Sequence, residues 1–169
     1  MTEPLQGFPP ILDANTRLIV LGSFPSVASL RAQRYYDHPQ NHFWKILGAL
    51  WGVPLIDMPY SERTDALLAH GLGVWDVYAS CQREGSLDSS IQNPQLNDLA
   101  GLRSRCPRLQ ALAHNGGESY RHARHTRALG LPVYRLPSTS PANASWSFER
   151  KLAAWREVFA QHGLLPEGV

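Results

Sequence analysis

The chain has 169 residues, of which 43% are hydrophobic, and its formal net charge at pH 7 is +2. This length suits one α/β domain with a substantial core and is short for two. No apolar stretch approaches the ~20 residues of a membrane span, and the first residues lack the basic start and apolar block of a signal peptide. We therefore expect a single cytoplasmic domain over residues 1–169.

The cysteines and the arginines further narrow the classes of protein to which the chain can belong. Cys81 and Cys106 do not form a disulfide framework or a zinc or iron–sulfur site, which favours two reduced thiols. Seven arginines and a single acidic residue lie between residues 101 and 135. Such a basic stretch could follow phosphates. Because the chain has only two lysines, a general bias toward arginine is an equal explanation.

Strand and helix patterns alternate along the chain. Residues 1–15 hold three prolines that discourage helix, so we expect a loosely attached lead-in. Apolar runs predict strands over 16–21, 72–78, 109–114 and 132–136, with a long loop after the first strand and a polar loop over 79–93. Helices are predicted over 42–51, from Ser61 to Gly71, over 95–104, up to about 129, and over 147–162. This rhythm predicts an α/β fold with a parallel sheet covered by helices on both faces.

Small or polar residues follow every predicted strand. The strand ends, in chain order, are Gly22-Ser23-Phe24, Asp76, Asn115-Gly116-Gly117 and Ser138-Thr139-Ser140. The carboxyl ends of parallel strands meet at one edge, where α/β folds bind ligands. Polar turns are common there in any case. The pattern nevertheless predicts one active site closed by loops from two distant parts of the sequence.

The motifs that are missing from the sequence exclude several classes of reaction. The chain has no Gly-x-Ser-x-Gly elbow, no Walker phosphate loop and no Gly-x-Gly-x-x-Gly. Two histidine pairs have metal-like spacing, but no carboxylate or cysteine cluster supports them, so no metal or cofactor is expected. A polar site of this kind can cleave an N-glycosidic bond, because amide and backbone donors stabilise the departing base. The groups available are His38, Asn41, Asp76, Asn115, Ser138 and Ser140.

Six sequence blocks, taken in chain order, form a more specific pattern that extends over about residues 18–160. They are Gly22-Ser23-Phe24-Pro25-Ser26, Tyr36 with His38-Pro39-Gln40-Asn41-His42-Phe43-Trp44, Trp75-Asp76-Val77, Ser80-Cys81-Gln82-Arg83-Glu84-Gly85-Ser86-Leu87-Asp88, Asn115-Gly116-Gly117 and Pro137-Ser138-Thr139-Ser140-Pro141-Ala142-Asn143. The pattern resembles the uracil-DNA glycosylase superfamily, in particular its hypoxanthine-DNA (deoxyinosine) glycosylase branch. The resemblance implies a three-layer α/β/α sandwich around a four-stranded parallel sheet. It also implies hydrolytic removal of a damaged base that has been flipped out of DNA.

The same resemblance suggests the catalytic residues. The first motif elsewhere carries an Asp or Asn that activates water, and Ser23 and Phe24 offer neither. In this branch the weight falls on Asn41, with Ser23 beside it. From the residues alone, Asn41 is equally a helix N-cap, and both roles can hold. Asp76 lies where the superfamily places its base-reading asparagine, although a strand-end Asp can also simply cap a turn.

Further site residues follow from the resemblance. The base is expected to contact Gly22, Phe24, Tyr36 and Asn115 as well as Asp76, although Phe24 could instead anchor its loop in the core. Asn143 or Ala144 lies where a wedge side chain would fill the vacated stack, but neither is bulky. The residues expected to contact DNA are Ser138, Thr139, Ser140, Pro141, Asn143 and Arg83.

The function expected from these residues is a monofunctional deoxyinosine glycosylase that acts as a monomer on DNA containing a deaminated base. Neither motif holds a lysine, so no imine intermediate and no strand cleavage are expected. Two alternatives stay open. One is a preference for uracil or xanthine, and the other is a non-catalytic nucleic-acid-binding protein of the same fold.

Overall fold

The computed structural model describes residues 3–166. The strands are β1 (Leu5–Gln6), β2 (Leu18–Gly22), β3 (Leu72–Asp76), β4 (Tyr78–Gln82), β5 (Gln92–Leu96), β6 (Ala111–Asn115) and β7 (Val133–Leu136). The helices are α1 (Val27–Ala32), α2 (Phe43–Trp51), α3 (Tyr60–Ala69), α4 (Leu102–Arg105), α5 (Gly117–Tyr120), α6 (Ala123–Arg127) and α7 (Phe148–Gln161). Residues 1–2 of the expected lead-in and residues 167–169 of the expected domain lie outside the described residues.

Four strands form a parallel sheet in the order β3-β2-β6-β7. β2, β3 and β6 are buried along their whole length, because helices cover both faces of the sheet. Leu18 and Val20 pack on one face in a cluster that includes Trp155 of α7. Ile19 packs on the opposite face with Leu102 of α4. The predicted three-layer α/β/α fold around a four-stranded parallel sheet is confirmed.

The strand order places a crevice at one edge of the parallel sheet. The chain runs from β2 outward to β3 and then returns to β6 on the other side of β2, so the order reverses between β2 and β6. Gly22 pairs with Asp76, and Asn115 pairs with Leu136, so the carboxyl ends of all four strands lie together. Ligands of open α/β sheets bind outside the strand ends at such a reversal.

A second, antiparallel sheet has the order β1-β4-β5, where a polar loop and a loose lead-in had been expected. Each residue of β5 is exposed, so this strand has no apolar alternation for a pattern to detect. The expectation of a loose lead-in is wrong for residues 5–11. The Gly7 N–H donates to the Ala79 carbonyl over 2.9 Å, and Ile11 exchanges backbone hydrogen bonds with Val74.

Several helix boundaries also differ from the prediction. α1 was not predicted, because six residues are too few to show periodicity. It begins where the Ser26 hydroxyl accepts a hydrogen bond from the Ser29 N–H. α3 begins after Pro59, so Ser61 lies inside its first turn and is not its cap. The helix predicted over 95–104 is reduced to α4, since β5 extends to Leu96.

Two smaller expectations concern the cysteines and the membrane. Cys81 and Cys106 are both buried as free thiols in the same core cluster. Among residues 3–166, no helix combines the length and apolar character that a membrane span requires.

Candidate active site

A cavity of about 610 Å³ opens at the carboxyl ends of the parallel strands. All the residues predicted to act in catalysis or base binding line this cavity, together with most of those predicted to contact DNA. They are Gly22, Ser23, Phe24, Tyr36, Asn41, Asp76, Asn115, Ser138, Thr139, Ser140 and Asn143. Arg83 and Pro141 do not line it. The fold therefore brings together side chains from Gly22 to Asn143, parts of the sequence that are far apart, as the strand-end pattern predicted.

Gly22 and Asp76 end adjacent strands at the base of this cavity. A Cβ atom at Gly22 would lie 2.5 Å from Asp76 Oδ1 and 2.9 Å from Tyr36 Oη. Both distances are shorter than van der Waals contact allows. A glycine is therefore required here so that a carboxyl group and a phenol can approach the end of β2.

We expect Gly22→Ala to lower the free energy of unfolding by about 1–3 kcal/mol, because the added methyl group must displace Asp76 and Tyr36. Denaturant unfolding measures this change. Gly117→Ala is the matched control, since its added methyl group would meet only the flexible end of Arg135, at 3.1 Å. The same unfolding midpoint for Gly22→Ala and the wild type would contradict the close packing described here.

Asp76 is the buried acid of the site. Its side chain is 4% exposed, and its Oδ2 atom has no hydrogen-bond partner among the described residues. The pKa of Asp76 is raised to about 7, mainly by burial and to a lesser extent by the nearby Asp88, while Arg83 acts to lower it. The carboxyl group is thus held partly protonated near neutral pH. A buried, unpaired and titrating carboxyl group that lines a cavity is typical of a ligand-binding or catalytic position.

Asn41 lies at the start of α2, and its amide has a fixed orientation. Its Oδ1 atom accepts a hydrogen bond from the Phe43 N–H over 2.9 Å. Because a backbone N–H can only donate, the amide atom facing it must be the oxygen. The Nδ2 atom has no hydrogen-bond partner within residues 3–166. The N-cap of α2 is His42 and not Asn41 as the capping interpretation had it, but Asn41 still accepts from the first N–H of the helix and leaves an amide donor available at the cavity wall.

Asn115 connects the separate parts of the site. Its Oδ1 accepts from the Thr139 N–H at 3.0 Å, and its Nδ2 donates to Thr139 Oγ1 at 3.0 Å and to Tyr36 Oη at 3.2 Å. The Thr139 carbonyl in turn accepts from the His42 N–H at 3.0 Å. These bonds join the end of β6, the loop after β7 and the segment that carries Asn41. The predicted contact of Asn115 with a base stays a prediction.

The loop after β2 is braced by the segment between β4 and β5. Ser23 Oγ donates to Asp88 Oδ1 at 2.6 Å, and Arg83 Nη2 donates to the Pro25 carbonyl at 2.6 Å. The Arg83 guanidinium also lies 5.3 Å from the centre of the Phe24 ring. Arg83 thus contacts the back of this loop, and its predicted contact with DNA stays a prediction. Sequence reasoning missed Asp88 as a cavity residue, although it closes the sequence block that contains Arg83.

The loop after β7 is folded on itself by its own polar side chains. Ser138 and Ser140 each accept from the backbone N–H two residues ahead, at 3.1 Å. Asn143 Nδ2 donates to the Ser138 carbonyl at 3.1 Å. Pro141 is exposed and lies outside the cavity. The loop is therefore preformed, which lowers the entropy cost of binding a strand against it.

Metal-binding clusters are absent from the part of the chain that the structure describes. No group of three or more His, Cys, Asp or Glu side chains is placed to hold an ion there. The chemistry visible at the cavity is that of a buried acid, carboxamides and hydroxyl groups.

Comparison with known proteins places the chain in a family. The model of the uracil DNA glycosylase superfamily matches residues 9–159, which is most of the chain. The chain belongs to the uracil DNA glycosylase superfamily. Two curated relatives, both named hypoxanthine DNA glycosylase, come from Methanosarcina acetivorans and Methanosarcina barkeri. They are 39% and 37% identical over 154 residues, which cover 91% of this chain and 97% of each relative.

A solved structure agrees with this placement in the superfamily. It is the solution NMR structure of a Methanosarcina acetivorans protein provisionally described as a uracil DNA glycosylase. The two proteins are 38% identical with a TM-score of 0.85, and the match covers 94% of this chain and 98% of the other. The resemblance drawn from the six sequence blocks, including its hypoxanthine branch, is confirmed.

Proposed function

We propose that this superfamily member is a DNA glycosylase that removes hypoxanthine from deoxyinosine and leaves an abasic site. The nature of the substrate rests on the curated relatives, whose names specify hypoxanthine. The observation that carries the chemistry is Asp76, a buried carboxyl group with an unpaired oxygen in the main cavity. In the reaction the C1′–N9 bond breaks, a water oxygen bonds to C1′, the carboxyl proton of Asp76 passes to the released base, and the proton that the water loses restores the carboxyl group.

Asp76 acts on the leaving base. Its raised pKa keeps a carboxyl proton available near neutral pH, and that proton is donated to an acceptor atom of hypoxanthine. Negative charge develops on the purine as the glycosidic bond breaks, so a donor placed there stabilises the transition state more than the ground state. Phe24 and Tyr36 line the same cavity, and we propose that their rings flank the flipped base.

Asn41 and Ser23 provide the remaining polar groups. The Asn41 Nδ2 donor stabilises the departing purine, while its Oδ1 is held by the Phe43 N–H. Ser23 donates a hydrogen bond to Asp88, so the lone pairs of its oxygen can accept a hydrogen bond from the attacking water. A serine arranged in this way positions water and does not become a covalent nucleophile, which fits hydrolysis in a single step.

DNA is held around the cavity by the loop after β7, through Ser138, Thr139, Ser140, Pro141 and Asn143, with Arg83 behind the opposite loop. We propose further that the enzyme is cytoplasmic. We also propose that it acts as a monomer, because scanning a duplex for one flipped nucleotide requires no symmetry. No lysine is present in either loop, so the enzyme should leave the abasic strand intact.

The test compares single-turnover rates on matched duplexes that carry one inosine, one uracil or one xanthosine. We expect alkali-dependent cleavage that is fastest at inosine, and no covalent adduct after borohydride reduction. Faster cleavage at uracil or xanthosine would reassign the substrate. Binding of an abasic duplex without turnover on any of the three bases would favour the non-catalytic alternative.

A further inference from the structure

A second cavity, of about 450 Å³, lies beside the first and has a basic lining. Asn41, Asn143 and Trp146 line both cavities, so the two share a wall. The titratable side chains that line the second cavity are His42, Lys45 and Lys151, and no Asp or Glu lines it. The chain has only two lysines, and both are found here.

Lys151 is the central group of this second cavity. Its side chain is only 1% exposed, and its Nζ atom lies 3.3 Å from His42 Nδ1 and 3.5 Å from the Ser140 carbonyl. Neither neighbour carries a negative charge, and within residues 3–166 Lys151 makes no ion pair. A buried ammonium group without a counter-ion is destabilising, because nothing compensates its lost hydration. Burial accordingly lowers the pKa of Lys151.

Neighbouring groups increase the positive potential around Lys151. The Lys45 ammonium lies 4.6 Å from the centre of the Phe148 ring, and the rings of His42 and Phe148 are T-shaped with their centres 5.4 Å apart. Burial and the two lysines lower the pKa of His42, so the imidazole is held neutral. An anion that entered this cavity would supply the missing counter-charge.

We propose that the second cavity binds a backbone phosphate of the DNA strand that carries the flipped nucleotide. This inference rests on the proposed function, because it takes the first cavity as the base pocket. The shared wall of Asn41 and Asn143 places a phosphate here next to the sugar of a nucleotide whose base occupies the first cavity. Lys151 neutralises that phosphate from below and Lys45 from the rim, while the loop after β7 lies against the strand.

The experiment measures binding of a duplex with a stable abasic-site analogue as a function of salt concentration, together with thermal unfolding. We expect Lys151→Met to reduce the slope of log K against log salt by about 0.9, the value for one phosphate contact. It should leave the melting temperature unchanged or raised, because it removes an uncompensated buried charge. Arg108→Met is the matched control and should leave the slope unchanged. Arg108 is exposed and precedes β6, so it lies at the amino ends of the parallel strands, away from both cavities.

An unchanged salt slope with a lowered melting temperature for Lys151→Met would show that this lysine only supports the fold, and would overturn the proposal. Measurements on the wild-type enzyme distinguish a failure of the phosphate proposal from a failure of the proposed function. Normal binding of the abasic duplex without excision of any base would contradict the proposed function, while the slope difference would still decide the phosphate contact. Failure of the wild-type protein to bind the duplex would overturn both.

A second inference concerns Leu87, at the mouth of the first cavity. Its side chain is 57% exposed and lines the cavity, although the residues around it are small and polar. The adjacent polar groups are fastened to the loop after β2. Ser86 Oγ accepts from the Val27 N–H at 2.9 Å, and Asp88 accepts from Ser23 at 2.6 Å. The aliphatic side chain between them is thus exposed on a braced turn.

The geometry points to Leu87 as the side chain that fills the vacated position in the DNA stack once the base is flipped, again on the basis of the proposed function. The opposite loop offers Ala142, Asn143 and Ala144, which are too small to replace a base. Insertion of an apolar side chain between base steps compensates for part of the lost stacking. A rigid support is required, and the bonds on both sides of Leu87 supply it.

We expect Leu87→Ala to lower kcat/KM on inosine paired in a duplex by at least about tenfold and to leave the rate on single-stranded inosine unchanged, because only the duplex must be held open. Fluorescence of 2-aminopurine placed next to the lesion should fall in parallel, and it reports base opening without any chemistry. Leu96→Ala is the matched control, since Leu96 is 40% exposed on β5 outside the cavity lining. Equal losses on both substrates, or none on the duplex, would overturn this role for Leu87.

Discussion

Asn41→Asp is expected to lower the rate of base excision by about 100- to 1,000-fold without a loss of stability. The aspartate keeps an oxygen that can accept from the Phe43 N–H, so the start of α2 remains capped. The substitution replaces the free Nδ2 donor by a second acceptor, which cannot stabilise a purine that is gaining negative charge. Single-turnover kinetics on an inosine duplex and thermal unfolding measure the two effects separately.

Asn41→Ala is the control that removes both functions of the side chain. It should lose a similar amount of activity and in addition about 1 kcal/mol of stability, because the Phe43 N–H loses its acceptor. If Asn41→Asp excises hypoxanthine at the wild-type rate, the amide donor has no part in catalysis. Asn41 would then serve only to accept a hydrogen bond from the first N–H of α2.

The pH dependence of excision should show the protonation of Asp76. The proposed mechanism needs the protonated carboxyl group, and burial raises the pKa of this group to about 7. We therefore expect kcat/KM to be constant at lower pH and to fall tenfold per pH unit above this pKa. A rate that rises through neutral pH would instead assign the active form to the ionised carboxylate.

Comparison of Asp76→Asn with Asp76→Ala distinguishes the effect of losing the titrating proton from the effect of losing the hydrogen bond. The amide keeps a neutral donor without titrating, so Asp76→Asn should retain partial activity with a flat pH profile, and Asp76→Ala should lose about 100-fold or more. The pH dependence of stability is an independent test of the raised pKa of Asp76. A folded-state pKa above the unfolded value makes the wild type less stable as pH rises from the unfolded pKa to about 7, so Asp76→Asn should be the more stable protein above neutral pH.

The sequence was sufficient to predict the parallel sheet and the edge at which the site lies. The runs that become β2, β3 and β6 are apolar because they are buried between helix layers. The polar residues that follow the strands lie at the edge where α/β folds bind ligands. The antiparallel strand β5 could not be predicted, because its residues are all exposed and its pairing depends on backbone hydrogen bonds. α1 was too short for a periodicity test.

The site was predicted less completely than the fold, because its remaining parts depend on tertiary contacts. Asp88 reaches Ser23 across 65 residues of sequence, and Lys151 reaches His42 across 109. No local spacing encodes either contact. Lys151 lies in an amphipathic helix pattern, in which a lysine is normally read as solvated. Its burial becomes visible only when α7 packs beside the loop after β7.

The most direct test of the account is to incubate the wild-type protein with a labelled duplex that contains one inosine and to identify the released base by mass spectrometry. We expect free hypoxanthine in an amount equal to the alkali-sensitive sites formed, with an intact strand before alkali. Release of no base, or of uracil alone from a matched uracil duplex, would contradict it.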